Sequence, residues 1–240
     1  MDKPAHIVLL LAGGKGERMH SNHPKQFLEV GGQPVITYPL QTFQQHAGTD
    51  CIYVVCAPEW SDFVTELARR NGIGKFVRTL PAGATSIESI RNGIRGIRQD
   101  AGDSHPAVML HEAVRPLLSA ELITANFGIF HSCGNAITAI KSNEAYMVST
   151  DGRSSTASIP RERLYRAQTP QTFWLEDIEE AFARAERLGL NGSQSLYTLM
   201  TETCPEKALY IAPGNELNFK LTRPEDIEML SAQLAFRHDI

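Results

Sequence analysis

Three glycines within four residues follow an apolar run near the start of the chain, in the stretch LLLAGGKGERMHSNHPKQF. Gly13, Gly14 and Gly16 have no Cβ, so their backbone can approach a polyphosphate closely. Arg18 and Lys25 follow and supply the positive side-chain charge that a triphosphate needs. The spacing favours a phosphate-binding loop at the end of a strand, although the glycines alone would equally suit a tight turn.

Two common phosphate-binding patterns fit this loop badly. A P-loop requires GxxxxGK[ST], whereas Gly16 is followed by Glu17 and Arg18. A dinucleotide fingerprint requires GxGxxG, and the third glycine is absent from GGKGERM. A dinucleotide-dependent oxidoreductase is therefore a distant alternative.

Composition narrows the class of protein. The 240 residues carry 23 basic and 27 acidic side chains, a formal charge of −4, which argues against a general nucleic-acid binder. The four cysteines are scattered without zinc spacing and are typical of reduced thiols. The N-terminal apolar run is too short to span a membrane. We expect one domain, residues 1–240, in a cytoplasmic protein that binds neither nucleic acid nor membranes.

Apolar runs alternate with helix-like segments along the chain. Continuous apolar runs predict strands, and apolar residues spaced by three and four predict helices, with caps at Gly72, Ser119 and Gly134. The alternation predicts a doubly wound α/β fold with a mostly parallel sheet. Predicted strands cover 6–13, 51–57, 75–80, 107–116, 208–214 and 218–222, and predicted helices cover 60–72, 85–100, 119–134, 174–189 and 224–236.

The alternation breaks once, at about 136–161. This stretch is polar and strand-like, and Asp151-Gly152 is a hairpin turn signal. We expect a protruding β-arm that pairs with a second copy of the chain in a homodimer.

Several ordered motifs together carry a family resemblance. LLLAGGKGERM followed by PKQFLEVGGQPVI resembles the start of nucleotidyltransferases that make activated sugars and alditols, and PKQF favours the cytidylyltransferase branch. The resemblance recurs at SIESIRNGI, LHEAVRP, YRAQTPQTF and NFKLTRPEDI and covers essentially the whole chain. The family is that of the 2-C-methyl-D-erythritol 4-phosphate and ribitol-5-phosphate cytidylyltransferases.

The resemblance implies a reaction. CTP and Mg²⁺ would bind at the glycine loop, and the phosphate of an alditol phosphate would attack the α-phosphorus and release pyrophosphate. Methylerythritol phosphate is the first expected acceptor, with a role in isoprenoid biosynthesis, and ribitol phosphate is a close second. A non-catalytic paralogue that binds a nucleotide or sugar phosphate is an alternative from another class.

The resemblance also implies roles for matched positions. Residues stabilising charge on the phosphates would be Arg18, Lys25 and Lys220. Residues contacting the nucleotide would be Ala12, Gly13, Gly14, Gly16, Gly83 and Ser89. Residues near the acceptor would be Glu112, which would also lie near the metal, Arg115, and Arg161, which would reach across the dimer interface. His111 is expected to be structural, because the acceptor phosphate is already ionised and needs no base.

Four places depart from the family pattern. Glu112 replaces an aspartate, and Ser86 stands where an arginine is usual. Asn143 and Glu144 are the nearest counterparts of a usual Asp-Thr pair, and Gln194 replaces an acid. These differences concentrate on the acceptor side more than around the triphosphate, so the sequence specifies the acceptor less closely than the nucleotide.

Overall fold

The computed structural model describes residues 5–14 and 23–238. The predicted site residues Gly16 and Arg18 therefore lie outside the described residues. Among the described residues, none of the helices combines the length and the apolar character needed to cross a bilayer.

Seven strands form the central sheet. In spatial order they are β11 (Ile211–Pro213), β7 (Asn135–Lys141), β10 (Tyr165–Trp174), β6 (Ala107–Glu112), β1 (His6–Ala12), β4 (Cys51–Cys56) and β5 (Phe76–Pro81). Strand β10 runs antiparallel to both of its neighbours, and the other described pairings are parallel. The predicted mostly parallel sheet is confirmed. Two short hairpins, β2 (Glu29–Val30) with β3 (Gln33–Pro34) and β8 (Tyr146–Val148) with β9 (Ala157–Ile159), lie outside it.

Helices cover both faces of the sheet. Alternate residues of β1 point to opposite faces, so Val8 and Leu10 join one core while Ile7 and Leu9 join the other. The first core includes residues of α1 (Thr37–Gln45), α2 (Ser61–Arg70) and α4 (Ala120–Cys133). The second includes residues of α3 (Ser86–Ala101), α5 (Leu175–Leu188) and α6 (Leu196–Thr203). Helix α7 (Glu225–His238) packs through Leu230 in a third, smaller cluster.

The predicted helix caps form as the sequence indicated. The Ser119 side chain accepts a hydrogen bond from Leu122 N, and Gly134 ends α4 in the left-handed region with φ 84°. Gly72, with φ 64°, follows α2. Each position has the residue type that its backbone geometry requires.

The arm is shorter than the predicted 136–161. The first residues of that range belong to β7, whose buried apolar side chains face the core, so only the β8–β9 hairpin protrudes. The turn signal at Asp151-Gly152 lies in an eight-residue connection and not in a two-residue turn. The Asp151 carboxylate accepts hydrogen bonds from Arg153 N and Ser154 N, and Gly152 has φ 68°.

Other segments also differ from the expectation. Residues 218–222 pair with no strand of the described sheet, and their hydrogen bonds reach distant parts of the chain: Leu221 N donates to Val114 O at 2.8 Å, and Asn218 O accepts from Arg115 Nη1 at 2.8 Å. Helices α1 and α6 were not predicted. Helix α1 contains Pro39, which a helix tolerates in its first turn, and α6 has only eight residues.

A buried amide on α4 ties that helix to the sheet and generates a prediction. Asn126 is fully buried; its Nδ2 donates to Thr138 Oγ1 at 2.9 Å and Pro170 O at 3.0 Å, and its Oδ1 accepts from Thr172 Oγ1 at 2.6 Å. Asn126→Leu leaves these groups without hydrogen-bond partners, so we expect it to lower the free energy of unfolding by about 3 kcal/mol.

Urea denaturation followed by circular dichroism measures this loss. The control is Asn92→Leu, which removes one hydrogen bond of 3.2 Å to Pro81 O at a partly exposed position. We expect it to cost about 1 kcal/mol or less. Equal losses of stability in the two variants would contradict the role of Asn126 in holding α4 to the sheet.

Candidate active site

A cleft of about 470 Å³ opens at the carboxyl edge of the sheet, where parallel strands end together. The ends of β1 and β6, the loop between β5 and α3, and the segment before α7 converge there. The residues that line it are Leu11, Gly13, Gly14, Lys25, Gln26, Gly83, Ala84, Thr85, Ser86, Ser89, Glu112, Val114, Lys220 and Thr222. The cleft thus brings together seven of the residues predicted from the sequence: Gly13, Gly14, Lys25, Gly83, Ser89, Glu112 and Lys220.

Gly13 is required by close packing. A Cβ at this position would lie 2.7 Å from Ala82 Cβ and 3.3 Å from Ser89 Oγ, so the loop after β1 touches the loop after β5. A Cβ on Gly14 would meet nothing within 4 Å, and this residue faces open space. Ala12, also predicted, ends β1 and is buried.

The loop from Gly83 to Ser89 is braced from within. A Cβ on Gly83 would lie 2.3 Å from Glu88 Cβ. Ser89 Oγ accepts from Gly83 N at 3.0 Å and donates to Thr85 O at 2.9 Å. Thr85 and Glu88 form a capping box at the start of α3. The Ser89 hydroxyl therefore shapes the loop, and it keeps one acceptor position besides these two bonds.

The first turn of α3 faces the same cleft through Thr85 and Ser86. The first N–H groups of a helix have no intrahelical partner, and the helix dipole favours anions there. Ser86 occupies the first helical position. A hydroxyl at this point offers a hydrogen bond to a ligand, without the full positive charge that the family's arginine would bring.

Two lysines line the cleft. Lys25 lies in a short 3-10 turn, Lys25–Phe27, and its Nζ donates to Leu221 O at 2.7 Å. Lys220 Nζ donates to Glu112 Oε1 at 2.5 Å. The two cations come from opposite ends of the chain, and the segment containing Lys220 and Leu221 brings them to one cleft.

Glu112 sits between two cations. Arg115 Nε donates to Glu112 Oε2 at 2.8 Å, and Arg115 Nη1 donates to Asn218 O at 2.8 Å. Burial opposes ionisation of Glu112, but the charges of Lys220 and Arg115 outweigh it and lower the pKa of this carboxyl from 4.5 to about 2. Arg115 itself is buried behind the cleft and is not among its lining residues.

His111 is locked as a neutral imidazole. It is fully buried, with Nε2 3.2 Å from Arg115 O and Nδ1 3.1 Å from Thr169 Oγ1. The carbonyl must accept, so the proton resides on Nε2 and the Thr169 hydroxyl donates to Nδ1. Burial lowers the pKa of His111 from 6.5 to about 3. The geometry agrees with the structural role expected from the sequence.

Arg161 lies away from the cleft. It begins the 3-10 turn Arg161–Arg163 below the β8–β9 hairpin, and two thirds of its side chain is exposed. Its Nε lies 3.9 Å from Glu162 Oε1, too far for a hydrogen bond. The structure does not bring this residue to the other predicted site residues that it describes.

Three polar lining residues were missed as individual site residues: Gln26, Thr85 and Thr222. Thr85 is the N-cap of α3, and Thr222 N and Oγ1 both donate to Asp226 Oδ2 in the first turn of α7. Gln26 lies on the cleft wall next to Lys25. The capping pattern T-x-x-E at Thr85 and the position of Gln26 inside PKQF were the available signals.

The described part of the chain contains no group of three or more His, Cys, Asp or Glu side chains arranged to hold a metal ion. Among the described lining residues, Glu112 is the one carboxylate. A site assembled from protein ligands alone is therefore not present in residues 5–14 and 23–238.

The family model described as IspD, 2-C-methyl-D-erythritol 4-phosphate cytidylyltransferase, matches residues 6–237. The chain belongs to the IspD family. It is therefore a CTP-dependent nucleotidyltransferase, as predicted from the sequence, and the matched region includes the whole cleft.

Relatives of this chain carry two names. A ribitol-5-phosphate cytidylyltransferase of Streptococcus agalactiae is 33% identical over 228 residues, which cover 95% of this chain and 94% of the relative. A 2-C-methyl-D-erythritol 4-phosphate cytidylyltransferase of Acidobacterium capsulatum is 32% identical over 239 residues, with 96% and 98% covered. The sequence identity to these two relatives is too similar to indicate which acceptor this chain uses.

Solved structures share the fold. The 4-diphosphocytidyl-2C-methyl-D-erythritol synthase of Anaerococcus prevotii superposes with a TM-score of 0.82 at 23% identity, covering 98% of this chain and all of that one. The 2-C-methyl-D-erythritol 4-phosphate cytidylyltransferase of Thermus thermophilus gives a TM-score of 0.71 at 25% identity, covering 94% and 97%. The predicted α/β nucleotidyltransferase fold is confirmed.

The charge of Glu112 predicts a pH-dependent stability. Its pKa is lowered on folding, so its contribution is present above about pH 4.5 and is lost as the pH falls through about 2. At pH 7 we expect Glu112→Gln to be less stable than wild type by about 3 kcal/mol, with the gap closing towards pH 2. Denaturation at a series of pH values measures this difference in the free energy of unfolding. A difference that does not change with pH would show that the charge of Glu112 does not stabilise the fold.

Proposed function

We propose that this IspD-family chain transfers CMP from CTP to an alditol phosphate, with 2-C-methyl-D-erythritol 4-phosphate as the first candidate acceptor. One observation carries the proposal: the glycine loop, the start of α3, two lysines and Glu112 share a single cleft. An arrangement of backbone donors and cations around an open volume suits a triphosphate.

The proposed step is an in-line displacement. An oxygen of the acceptor phosphate forms a bond to the α-phosphorus of CTP, and the bond from that phosphorus to the bridging oxygen of the β-phosphate breaks. Pyrophosphate leaves with the bonding electron pair. The attacking oxygen is already ionised at neutral pH, so the neutral, buried His111 is not required as a base.

The protein's contribution is positioning and charge stabilisation. In the proposal, Lys25 and Lys220 stabilise charge on the phosphates, together with Arg18. The backbone around Ala12, Gly13, Gly14 and Gly16 contacts the nucleotide. Gly83 and Ser89 border the position proposed for the cytidine.

Glu112 is the proposed magnesium ligand. Mg²⁺ at phosphate-transfer sites is usually bound by one or two carboxylates together with substrate phosphates, so a cleft with one carboxylate fits the ion. When bound, the ion would neutralise part of the triphosphate charge. Arg115 keeps Glu112 ionised and oriented, which is the state that a cation requires.

A specific observation favours ribitol 5-phosphate as the second candidate. A small cavity of about 100 Å³ at the base of the arm is lined mainly by polar side chains, including Ser142, Asn143 and Glu144. Ribitol is an unbranched pentitol with an additional hydroxyl, whereas methylerythritol carries a methyl branch. A polar lining matches the hydroxyl better than the methyl group.

The exposed arm supports a homodimer. Tyr146, Met147, Val148 and Ile159 are all more than 40% exposed, with Met147 at 76%. A two-stranded hairpin with apolar side chains in water is marginal on its own, and a twofold contact between copies would cover it. Arg161 at its base would then contact the acceptor phosphate in the neighbouring site.

A cytoplasmic location is part of the proposal. The cysteines Cys51, Cys56, Cys133 and Cys204 are all free thiols, which suits a reducing compartment.

Pyrophosphate release tests the function directly. The purified protein is assayed with Mg²⁺, each of the four nucleoside triphosphates and both alditol phosphates. We expect turnover with CTP and with one of the two acceptors. Binding of CTP without pyrophosphate release under any condition would instead support the non-catalytic alternative.

Lys25→Ala is expected to reduce kcat by about a hundredfold or more, because it removes a cation from the proposed transition-state site. The matched control is Lys75→Ala. Lys75 Nζ also donates to a backbone carbonyl, that of His46 at 2.7 Å, but Lys75 does not line the cleft. Steady-state kinetics with CTP measures both, and similar losses in the two variants would exclude a specific role for Lys25.

Mixed dimers test the shared site. Arg161→Ala alone should raise the KM for the alditol phosphate much more than the KM for CTP. Mixing it with Lys25→Ala should restore activity, because one site of each mixed dimer then has both wild-type groups. Arg163→Ala, in the same exposed turn, is the control for nonspecific effects. Mixed dimers seen by native mass spectrometry that stay inactive would disprove site sharing.

A further inference from the structure

Gln26 is a buried amide in the wall of the cleft. It follows Lys25 in the 3-10 turn Lys25–Phe27, and only 2% of the residue is exposed. No role was assigned to it from the sequence, and it carries no charge that could act on a phosphate. Its contacts, however, reach the glycine loop.

Both N–H groups of the Gln26 side chain donate hydrogen bonds to carbonyl groups at the start of that loop. Nε2 donates to Ala12 O at 2.5 Å and to Gly14 O at 2.9 Å. One amide thus fixes the last carbonyl of β1 and a carbonyl of the loop that follows. Because C=O and N–H point in opposite directions in a trans peptide, holding the Ala12 carbonyl also fixes the direction of the Gly13 N–H.

The same turn is anchored on its other side. The Gln26 backbone carbonyl accepts from Ile36 N at 2.9 Å, next to α1, and Lys25 Nζ reaches Leu221 O at 2.7 Å. The position of the glycine loop is thereby coupled to the position of the Lys25 cation. A glycine-rich loop has little intrinsic rigidity, so an external clamp determines where its peptide groups lie.

The remaining polar atom of the amide has no partner among residues 5–14 and 23–238. Gln26 Oε1 is buried and accepts no hydrogen bond from that part of the chain. Rotating the amide by 180° would direct this oxygen at two carbonyl oxygens, so the observed orientation is the one that the neighbours require. A buried amide oxygen without a partner destabilises the fold by about 1–3 kcal/mol. The two hydrogen bonds that Nε2 donates to Ala12 O and Gly14 O offset this loss.

We propose that Gln26 is a positioning residue that sets the glycine loop for the triphosphate of CTP. It does so by holding the carbonyls of Ala12 and Gly14 at a fixed place beside Lys25. The inference rests on the proposed transfer from CTP and adds to it the group that orders the nucleotide loop. It predicts an effect on the nucleotide and not on the acceptor.

Gln26→Met keeps the length and volume of the side chain and removes both donors. We expect the KM for CTP to rise about tenfold, as the loss of two hydrogen bonds implies, with the KM for the alditol phosphate within twofold of wild type. Gln26→Glu, which turns a carboxylate oxygen towards the carbonyls, should raise the KM for CTP further. The control is Gln41→Met, which removes a 3.5 Å hydrogen bond to Asn71 at a position that does not line the cleft.

Hydrogen–deuterium exchange gives a readout that does not need turnover. Without substrate, the amides of Gly13 and Gly14 should exchange faster in Gln26→Met than in wild type, while those of β4 stay protected. An unchanged KM for CTP, or equal rises in both KM values, would overturn the proposal, as would unchanged exchange. Wild-type protein without turnover would instead count against the function itself, and the exchange result would still decide the role of Gln26. If Gln26→Met does not fold, the same two measurements on Gln26→Glu decide it.

Discussion

One carboxylate, Glu112, joins parts of the chain that are far apart in sequence. It accepts from Arg115, Arg115 donates to Asn218 O, Asn218 Nδ2 donates to Thr169 O at 2.8 Å, and Thr169 Oγ1 accepts from Glu112 N at 3.1 Å. These contacts close a ring through β6, β10 and the segment before α7. Removing one partner of a buried ion pair leaves an uncompensated charge and typically costs about 3–5 kcal/mol. The ring therefore fixes the acidic side of the cleft before any ligand arrives.

The two cations on Glu112 differ in what they can do. The Arg115 side chain is 11% exposed and the Lys220 side chain 38%. An anion entering the cleft meets Lys220, while Arg115 keeps the carboxylate paired. A lysine is a compact charge on a flexible stem, and a guanidinium suits fixed geometry, so each residue type matches its position. The chain as a whole has a formal charge of −4, yet the described lining of the cleft carries two lysines and one acid.

How far the sequence anticipated this structure depended on the kind of signal. Helices α3 and α5 have strong apolar periodicity, α3 begins at a capping box and α5 ends at Gly189 in the left-handed region, and their prediction was confirmed. Residues 218–222 alternate polar and apolar side chains like a strand, but the two buried ones are Asn218 and Leu221, whose spacing of three does not place them on one face of a strand. The place of Arg115 behind the cleft depends on Asn218, 103 residues away. Such contacts exist only after folding, and no local pattern contains them.

The distribution of tight contacts is consistent with relatives of one fold that are named for two different acceptors. On the nucleotide side, added atoms at Gly13 or Gly83 would lie 2.7 Å or less from a neighbouring side chain, so few substitutions fit there. Asn143 and Glu144, at the base of the arm, are exposed and make no comparable contacts with the core. Side chains at such positions change with little cost in stability, because nothing packs against them. The nucleotide site is thus constrained by the same packing that holds the sheet together. In the proposal, the acceptor site lies at the arm, whose exposed residues can change with the chemistry of the acceptor.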